Sequence, residues 1–282
     1  MPAEGLTVAV TGPTGDLGLS ILHELERSRR VKKIVGMARR PFNPKDEGLR
    51  KTEYRQGDVT DRASVRDAVK GADVVVHLAF AVLTASDRTE SLNIEGSRNV
   101  FEEAVAGGAE RICYASSVAA YGFHPDNPDW LTEDVAPRGT PEMPYSRQKA
   151  EVEGVLAQSL MKTERTHAWV FRPCVVAGPR AQTFLAEIPY FRISEALPEP
   201  VQRFLSGMPI LKPVIPDAGP RFQFVHHDDV ASAFVAGVLG KGSPGPYNLA
   251  GRGTLEMSDV ADALGWFALA VQFVCIVVWY EF

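Results

Sequence analysis

The stretch Val8-Ala9-Val10-Thr11-Gly12-Pro13-Thr14-Gly15-Asp16-Leu17-Gly18 constrains this chain more than any other. An apolar run ends at Thr11, glycines follow at 12, 15 and 18, and Leu17, Ile21, Leu22 and Leu25 then repeat with helical period. A strand that turns into a helix through such glycines offers an anion open backbone N–H groups and the positive end of the helix dipole. A side chain at Gly12 or Gly15 would block a pyrophosphate from that backbone, and Gly18 lets the helix pack close to the sheet. The turn is therefore expected to hold a dinucleotide, with Thr14, Asp16 and Leu17 completing the cradle.

The chain around this turn alternates between short apolar runs and helical patterns. Strands are expected at Leu6 to Thr11, Lys33 to Ala38, Asp73 to Phe80, Arg111 to Ser116 and His167 to Val176. The intervening segments carry helical repeats, through Leu92, Val100, Phe101 and Val105, and from Tyr145 to Leu160. Near-continuous apolar strands separated by helices predict a parallel sheet covered on both faces. Right-handed crossovers then leave the doubly wound, Rossmann-type α/β fold as the expected architecture.

The pattern changes after Gly178. Residues 181 to 219 contain six prolines and two apolar patches, 184–191 and 204–215, without strand-helix alternation. The expected organisation is a dinucleotide-binding domain over 1–180 and a small substrate lobe over 181–282, laid across the mouth of the sheet. Residues 222–250 (a strand, a helix from about Asp228 to Leu239, and a strand from Tyr247 to Ala250) return to the main sheet. Phe184, Tyr190, Phe191 and Phe204 read equally as pocket lining or lobe core. Residues 263 to 280 carry no charge, reaching the lower limit of a membrane span. Without a basic flank, they read as a core strand or packing helix.

The bulk numbers exclude more than they assign. With 45% hydrophobic and 23% charged residues, the chain is composed like a globular protein. A net charge of -5 gives no general attraction to nucleic acid or anionic lipid. The N-terminus shows no basic start and apolar helix of a secretory signal. Cys113, Cys174 and Cys275 are odd in number and far apart, which suits a reducing cytoplasm and no disulfide framework. His226 and His227 are neighbours expected to point opposite ways on a strand, so no metal is expected.

Two positions bear on which dinucleotide binds. About 20 residues beyond the glycines, where an acid would grip ribose hydroxyls, stand Ala38, Arg39 and Arg40. Guanidinium groups suit a 2′-phosphate, so NADP is expected ahead of NAD. Asp58 and Val59 close the third strand, where a carboxylate could accept a hydrogen bond from an adenine amino group.

The chemistry is expected from Tyr145 and Lys149. Residues four apart share a helix face, so phenol and ammonium project together, and the cation is expected to lower the tyrosine pKa towards working pH. A phenol so poised exchanges a proton with a carbonyl or alcohol. Ser116 and Ser117 end a predicted strand, and strand C-termini in such sheets face the ligand crevice.

Taken together these motifs resemble the extended short-chain dehydrogenase/reductases, the NAD-dependent epimerase/dehydratase family. The resemblance runs from about residue 6 to about 250. It rests on the glycine turn, Asp58-Val59, His77-Leu78-Ala79, Asn93-Ile94-Glu95-Gly96, the serine segment, Tyr145 with Lys149, Arg172-Pro173 through Gly178-Pro179, and Val225 to Ala231. It implies Ser117 as the substrate-facing serine, Ser116 as structural, Tyr145 as acid/base and Lys149 as a second ligand of the nicotinamide ribose. It also implies cofactor contacts from Leu78, Ala79 and Phe80, from Pro173 to Val175, and a positioning role for Asn93. Asp229 would order the second lobe, and its place before an apolar helix also suits a cap. A dimer through paired helices is a further implication.

Asp16 departs from the family's usual apolar residue, and the end of the chain departs from the family's usual end. The expected activity is hydride transfer between a nicotinamide and a carbonyl/alcohol substrate, as in the 3β-hydroxysteroid dehydrogenase and dihydroflavonol reductase branches. The alternatives are a nucleotide-sugar epimerase or dehydratase, and a non-catalytic NADP-sensing protein on the same scaffold.

Overall fold

The computed structural model describes residues 5–81, 87–179, 214–217, 219 and 221–270. The chain divides into two compact units, one of residues 1–174 and 226–249, the other of 175–225 and 250–282.

The first unit is built on a sheet of seven strands in the order β3-β2-β1-β4-β5-β6-β10, all pairs parallel. These are β1 (Leu6–Thr11), β2 (Val31–Ala38), β3 (Thr52–Gln56), β4 (Val74–His77), β5 (Arg111–Ala115), β6 (His167–Pro173) and β10 (Gly245–Leu249). Val74, Val75 and Val76 are fully buried because β4 lies at the centre of the sheet. Each such side chain stabilises the fold by about 1.5–3 kcal/mol relative to exposure. The chain reverses its strand order between β1 and β4, which opens a crevice at their C-terminal ends. One face is covered by α2 (Arg62–Val69), α3 (Asp87–Ala106) and α4 (Pro144–Leu160), whose buried residues form one core cluster with the sheet. The helices α1 (Asp16–Arg27) and α5 (His227–Val238) pack against each other. The expected doubly wound parallel sheet is thus present.

Two expected strands are shorter than their apolar runs. β4 stops at His77, and the Leu78 amide makes a last bond to the Thr11 carbonyl at 3.0 Å. Beyond it the backbone of Ala79 lies so near Gly12 that a Cβ there would come within 2.7 Å of the Ala79 nitrogen. The segment 78–80 is therefore held by the glycine turn, outside the ladder. The run from His167 to Val176 breaks at Cys174, after Pro173, which has no N–H to continue a ladder. The helix α2 was hidden because only eight residues form it, yet Asp61 caps it by accepting bonds from the Ala63 and Ser64 amides.

In the second unit β7 (Val175–Ala177) pairs with β9 (Phe224–His226), and β8 (Val214–Asp217) runs parallel to β11 (Phe267–Ala270). Between them α6 (Met257–Leu264) starts with a capping box of Glu256 and Asp259 and ends on Gly265 in the left-handed conformation, φ 69°. The uncharged C-terminal run thus begins in the last turn of α6 and passes into β11, where Phe267 and Leu269 are exposed rather than in a core; its continuation from 271, and the aromatics Phe184, Tyr190, Phe191 and Phe204, lie outside the described residues. No helix among the described residues is long and apolar enough to cross a membrane.

Candidate active site

The glycine turn sits where β1 hands over to α1. Gly12 takes φ 74°, a left-handed value that an L side chain resists, and its amide is tied to the Met37 carbonyl at 2.9 Å. A Cβ on Gly18 would approach the Pro13 carbonyl oxygen to 2.4 Å, so the turn itself requires glycine at both positions. Gly15 differs. Its φ is -85°, and a Cβ would meet only the Gly12 carbonyl at an ordinary 3.6 Å. Nothing among the described residues demands glycine there. α1 starts at this point without a side-chain cap, unlike α2. Asp16 is exposed in the first turn of α1, where a carboxylate suits the helix dipole, and Thr14 beside it is also exposed.

Arg39 and Arg40 are exposed directly after β2, and their carbonyls accept bonds from Gln56 and Tyr54. That anchoring fixes the backbone while the guanidinium groups face solvent. Asp58 follows β3, its Oδ1 accepting from the Thr60 amide and hydroxyl at 2.9 Å, and Val59 beside it is buried against the core. Leu78, Ala79 and Phe80 follow β4, Ser117 follows β5 and Pro173 ends β6, whereas Val175 opens β7 in the second unit.

Ser117 is 8% exposed and caps a 3-10 turn, Val118–Tyr121, accepting from the Ala119 amide at 3.1 Å. Tyr145 lies in the first turn of α4, whose N-terminal Pro144 is pre-set for helix. The Ser117 side chain lies close enough to the Tyr145 phenol to favour its ionised form. Lys149, one turn further, is 3% exposed, and its amine donates to the Ala115 carbonyl at 2.8 Å. The trio expected from the sequence is therefore brought together. Its electrostatics differ from expectation. Burial pushes the Tyr145 phenol above its ordinary pKa, and the Ser117 side chain pulls it part of the way back. The ammonium, 5.7 Å from the Tyr145 ring centre, is turned to a backbone carbonyl. Burial pulls Lys149 itself down to about 7, against the opposing pull of Glu153.

A buried polar framework, legible only in part beforehand, holds these groups. Asn93 is fully buried; its Oδ1 accepts from the Ala81 amide at 2.8 Å, and its Nδ2 donates to the Ala81 carbonyl and to Gln148 Oε1. It thereby ties the segment after β4 to the residue preceding Lys149. His77 bridges Thr11 Oγ1 at 2.7 Å and Ser97 Oγ at 2.9 Å, and burial, helped by the Lys149 charge, takes it to about 3, so it is neutral. Ser116 donates to Glu153 at 2.5 Å. Glu153 also takes a two-pronged ion pair from Arg172 at 3.0 and 2.6 Å, and Arg172 reaches the Tyr121 hydroxyl at 2.8 Å. Glu153 lies eight residues after Tyr145 and four after Lys149, a spacing that puts all three on one helix face and could have flagged it.

Two expectations near α5 need correction. The helix is capped by His226, which accepts from the Asp228 amide, and Asp229 stands in the first turn. His226 and His227 pack together, ring centres 4.3 Å apart, because the strand ends between them and the helix begins. With Asp228 they gather three ligand atoms within 4.8 Å, yet His226 Nδ1 serves as the cap and His227 Nδ1 contacts Ser20 Oγ at 3.1 Å. His227 thereby joins α1 to α5, and its Nε2 is buried with no hydrogen-bond partner among the described residues.

Residues 8–250 match the model of the NAD-dependent epimerase/dehydratase family. The chain belongs to this family. Among curated relatives of the family it is similar to the uncharacterized protein y4nG of Sinorhizobium fredii, 30% identical over 260 residues, covering 92% of this chain and 59% of y4nG. It is also similar to sterol demethylase protein B of Methylococcus capsulatus, 31% identical over 181 residues, covering 62% of this chain and 52% of the relative. The chain thus spans between half and three-fifths of the length of these relatives. The fold is shared with WbmH of Bordetella bronchiseptica, solved in complex with NAD+, at TM-score 0.73 and 24% identity, over 94% of this chain and 86% of that one.

Proposed function

We propose that the chain carries the active site of a nicotinamide-dependent oxidoreductase in which Ser117 and Tyr145 hold the oxygen of a carbonyl or alcohol substrate. The observation that carries this reading is the gathering of Ser117, just past the C-terminal end of β5, with the Tyr145 phenol on which it acts and with Lys149, whose amine lies 5.7 Å from the Tyr145 ring centre. Ser117 orients the substrate oxygen, and Tyr145 Oη gives it a proton on reduction or takes one on oxidation. Lys149 supplies a donor to the nicotinamide ribose and replenishes charge beside the phenol. The turn at Gly12 to Gly18 fits a pyrophosphate, since Gly15 leaves space that the protein does not fill. The bound nicotinamide would supply or accept the hydride.

The exposed Arg39 and Arg40 support NADP, by offering charge-assisted bonds to a 2′-phosphate. The NAD+ complex of WbmH supports NAD. Replacing both arginines by glutamate is expected to weaken NADP binding by about 10- to 100-fold, the loss of one strong charged hydrogen bond, and to weaken NAD binding less. Fluorescence titration with each cofactor checks this. Equal losses for the two would remove the arginines from cofactor choice. Gly15→Val is expected to leave the melting temperature nearly unchanged while lowering dinucleotide affinity at least about tenfold, by intruding on the backbone cradle. Undiminished affinity would place the ligand elsewhere.

A second reading, epimerase or dehydratase, is favoured by the family itself, in which the cofactor is restored within each turnover. Incubation with NADP(H) or NAD(H) and panels of ketones, alcohols and nucleotide sugars separates the two. Net cofactor consumption identifies the oxidoreductase; a changed sugar without it identifies the epimerase or dehydratase. A tightly held cofactor with neither outcome would leave a binding protein.

A further inference from the structure

Of the three aromatic rings around the Lys149 amine, those of Phe80, Tyr114 and Tyr145, the ring of Phe80 has its centre closest. Nζ stands 3.6 Å from the ring centre, well inside the distance at which a cation is held by an aromatic face. The same ring meets Tyr145 edge-on, with centres 5.8 Å apart. Phe80 is also seated against the apolar core, so its position is fixed from behind. The ring centre of Tyr114 lies 5.3 Å from Nζ, and this tyrosine is fully buried with a hydroxyl that has no partner among the described residues.

We propose that Phe80 is a positioning residue whose ring face binds the charged Lys149 amine and holds it against the Ala115 carbonyl beside Tyr145. The inference rests on the reading of Lys149 as a working member of the site, and it adds to that reading the device that keeps a buried cation charged. An ammonium removed from water loses its hydration. One of its N–H groups is repaid by Ala115 O, and the quadrupole of Phe80 compensates the exposed positive charge without competing as a hydrogen-bond acceptor. A carboxylate in that place would neutralise the amine outright. A ring leaves its remaining donors available to a ligand.

The other groups facing the amine do not perform this task. Glu153, on the same helix, favours the ammonium, but its carboxylate is shared with Arg172 of β6 and Ser116. Tyr145, on that helix, is held in its neutral form, as is Tyr114 of β5 by burial. His77 of β4 is neutral and repels the amine only if protonated. Removing the ring therefore removes a favourable contact of the charged form, and the proton is lost at lower pH.

The test follows the Lys149 titration directly, without turnover. Protein carrying ¹³C at lysine Cε is titrated by NMR, with the Lys149 signal assigned from its absence in Lys149→Met. The midpoint near 7 in the parent protein is expected to fall by about one pH unit, a tenfold change in the protonation constant, in Phe80→Leu and equally in Phe80→Met. Phe80→Tyr, which keeps the ring face, should hold the midpoint within about 0.3 unit of the parent. An unmoved midpoint in the leucine and methionine variants would overturn the role of Phe80, as would an equal fall in the tyrosine variant. Absence of turnover on every substrate would overturn the enzymatic reading instead and leave this titration standing.

Discussion

Tyr145→Phe is expected to fold, bind dinucleotide with near-parent affinity and turn over at least about a hundredfold more slowly, the usual scale for a lost general acid or base. The Tyr145 ring meets Phe80 edge-on, a contact that does not involve the hydroxyl, so the phenylalanine ring can keep the same place. Only the transferable proton disappears. Because burial sets the phenol above its ordinary range, the parent protein should lose its reductive activity only in strongly alkaline solution, when Tyr145 has no proton left to give. Stopped-flow measurement of the chemical step, alongside cofactor titration, separates chemistry from binding. Full turnover by the variant would take Tyr145 out of the mechanism.

Arg172→Met carries the largest expected effect on stability. The Arg172 and Glu153 side chains are 4% and 9% exposed and joined at 2.6 Å. Burial opposes the guanidinium charge and is outweighed by Glu153 and Tyr121. Deleting one partner strands a buried carboxylate against Ser116, at a cost of about 3–5 kcal/mol. In a chain of this size that corresponds to a fall of roughly 10 °C in melting temperature. The double change Glu153→Leu with Arg172→Met should recover much of the loss, since no charge is then stranded. Calorimetry of the three variants decides the matter. A single variant melting with the parent would show that the pair adds nothing. Tyr121 gives the network reach, its hydroxyl donating to Asn248 Oδ1 at 2.8 Å on β10.

The strand and helix alternation of the first half was legible because each element carries its own period, and a fully buried parallel strand such as β4 is almost uniformly apolar. The glycine turn could be read because a left-handed φ at Gly12 and a close backbone approach at Gly18 leave few other residues eligible. Tyr145 and Lys149 could be paired because one helical turn separates them. The short α2 and the meeting of His226 with His227 are not legible in the sequence, because element boundaries depend on hydrogen bonds made to distant residues.

The sequence by itself determined the order of elements, the glycine turn and the one-face spacing of phenol and amine, all properties of segments no longer than a helix. Which way the Lys149 amine turns was decided by tertiary structure alone. So were the raised Tyr145 phenol, the neutral His77 and the Glu153–Arg172 pair, since each depends on desolvation and on partners brought from other strands. Local periodicity is written in neighbouring residues, whereas the energy of a charge depends on everything within a few ångströms of it, and only the folded chain assembles that neighbourhood.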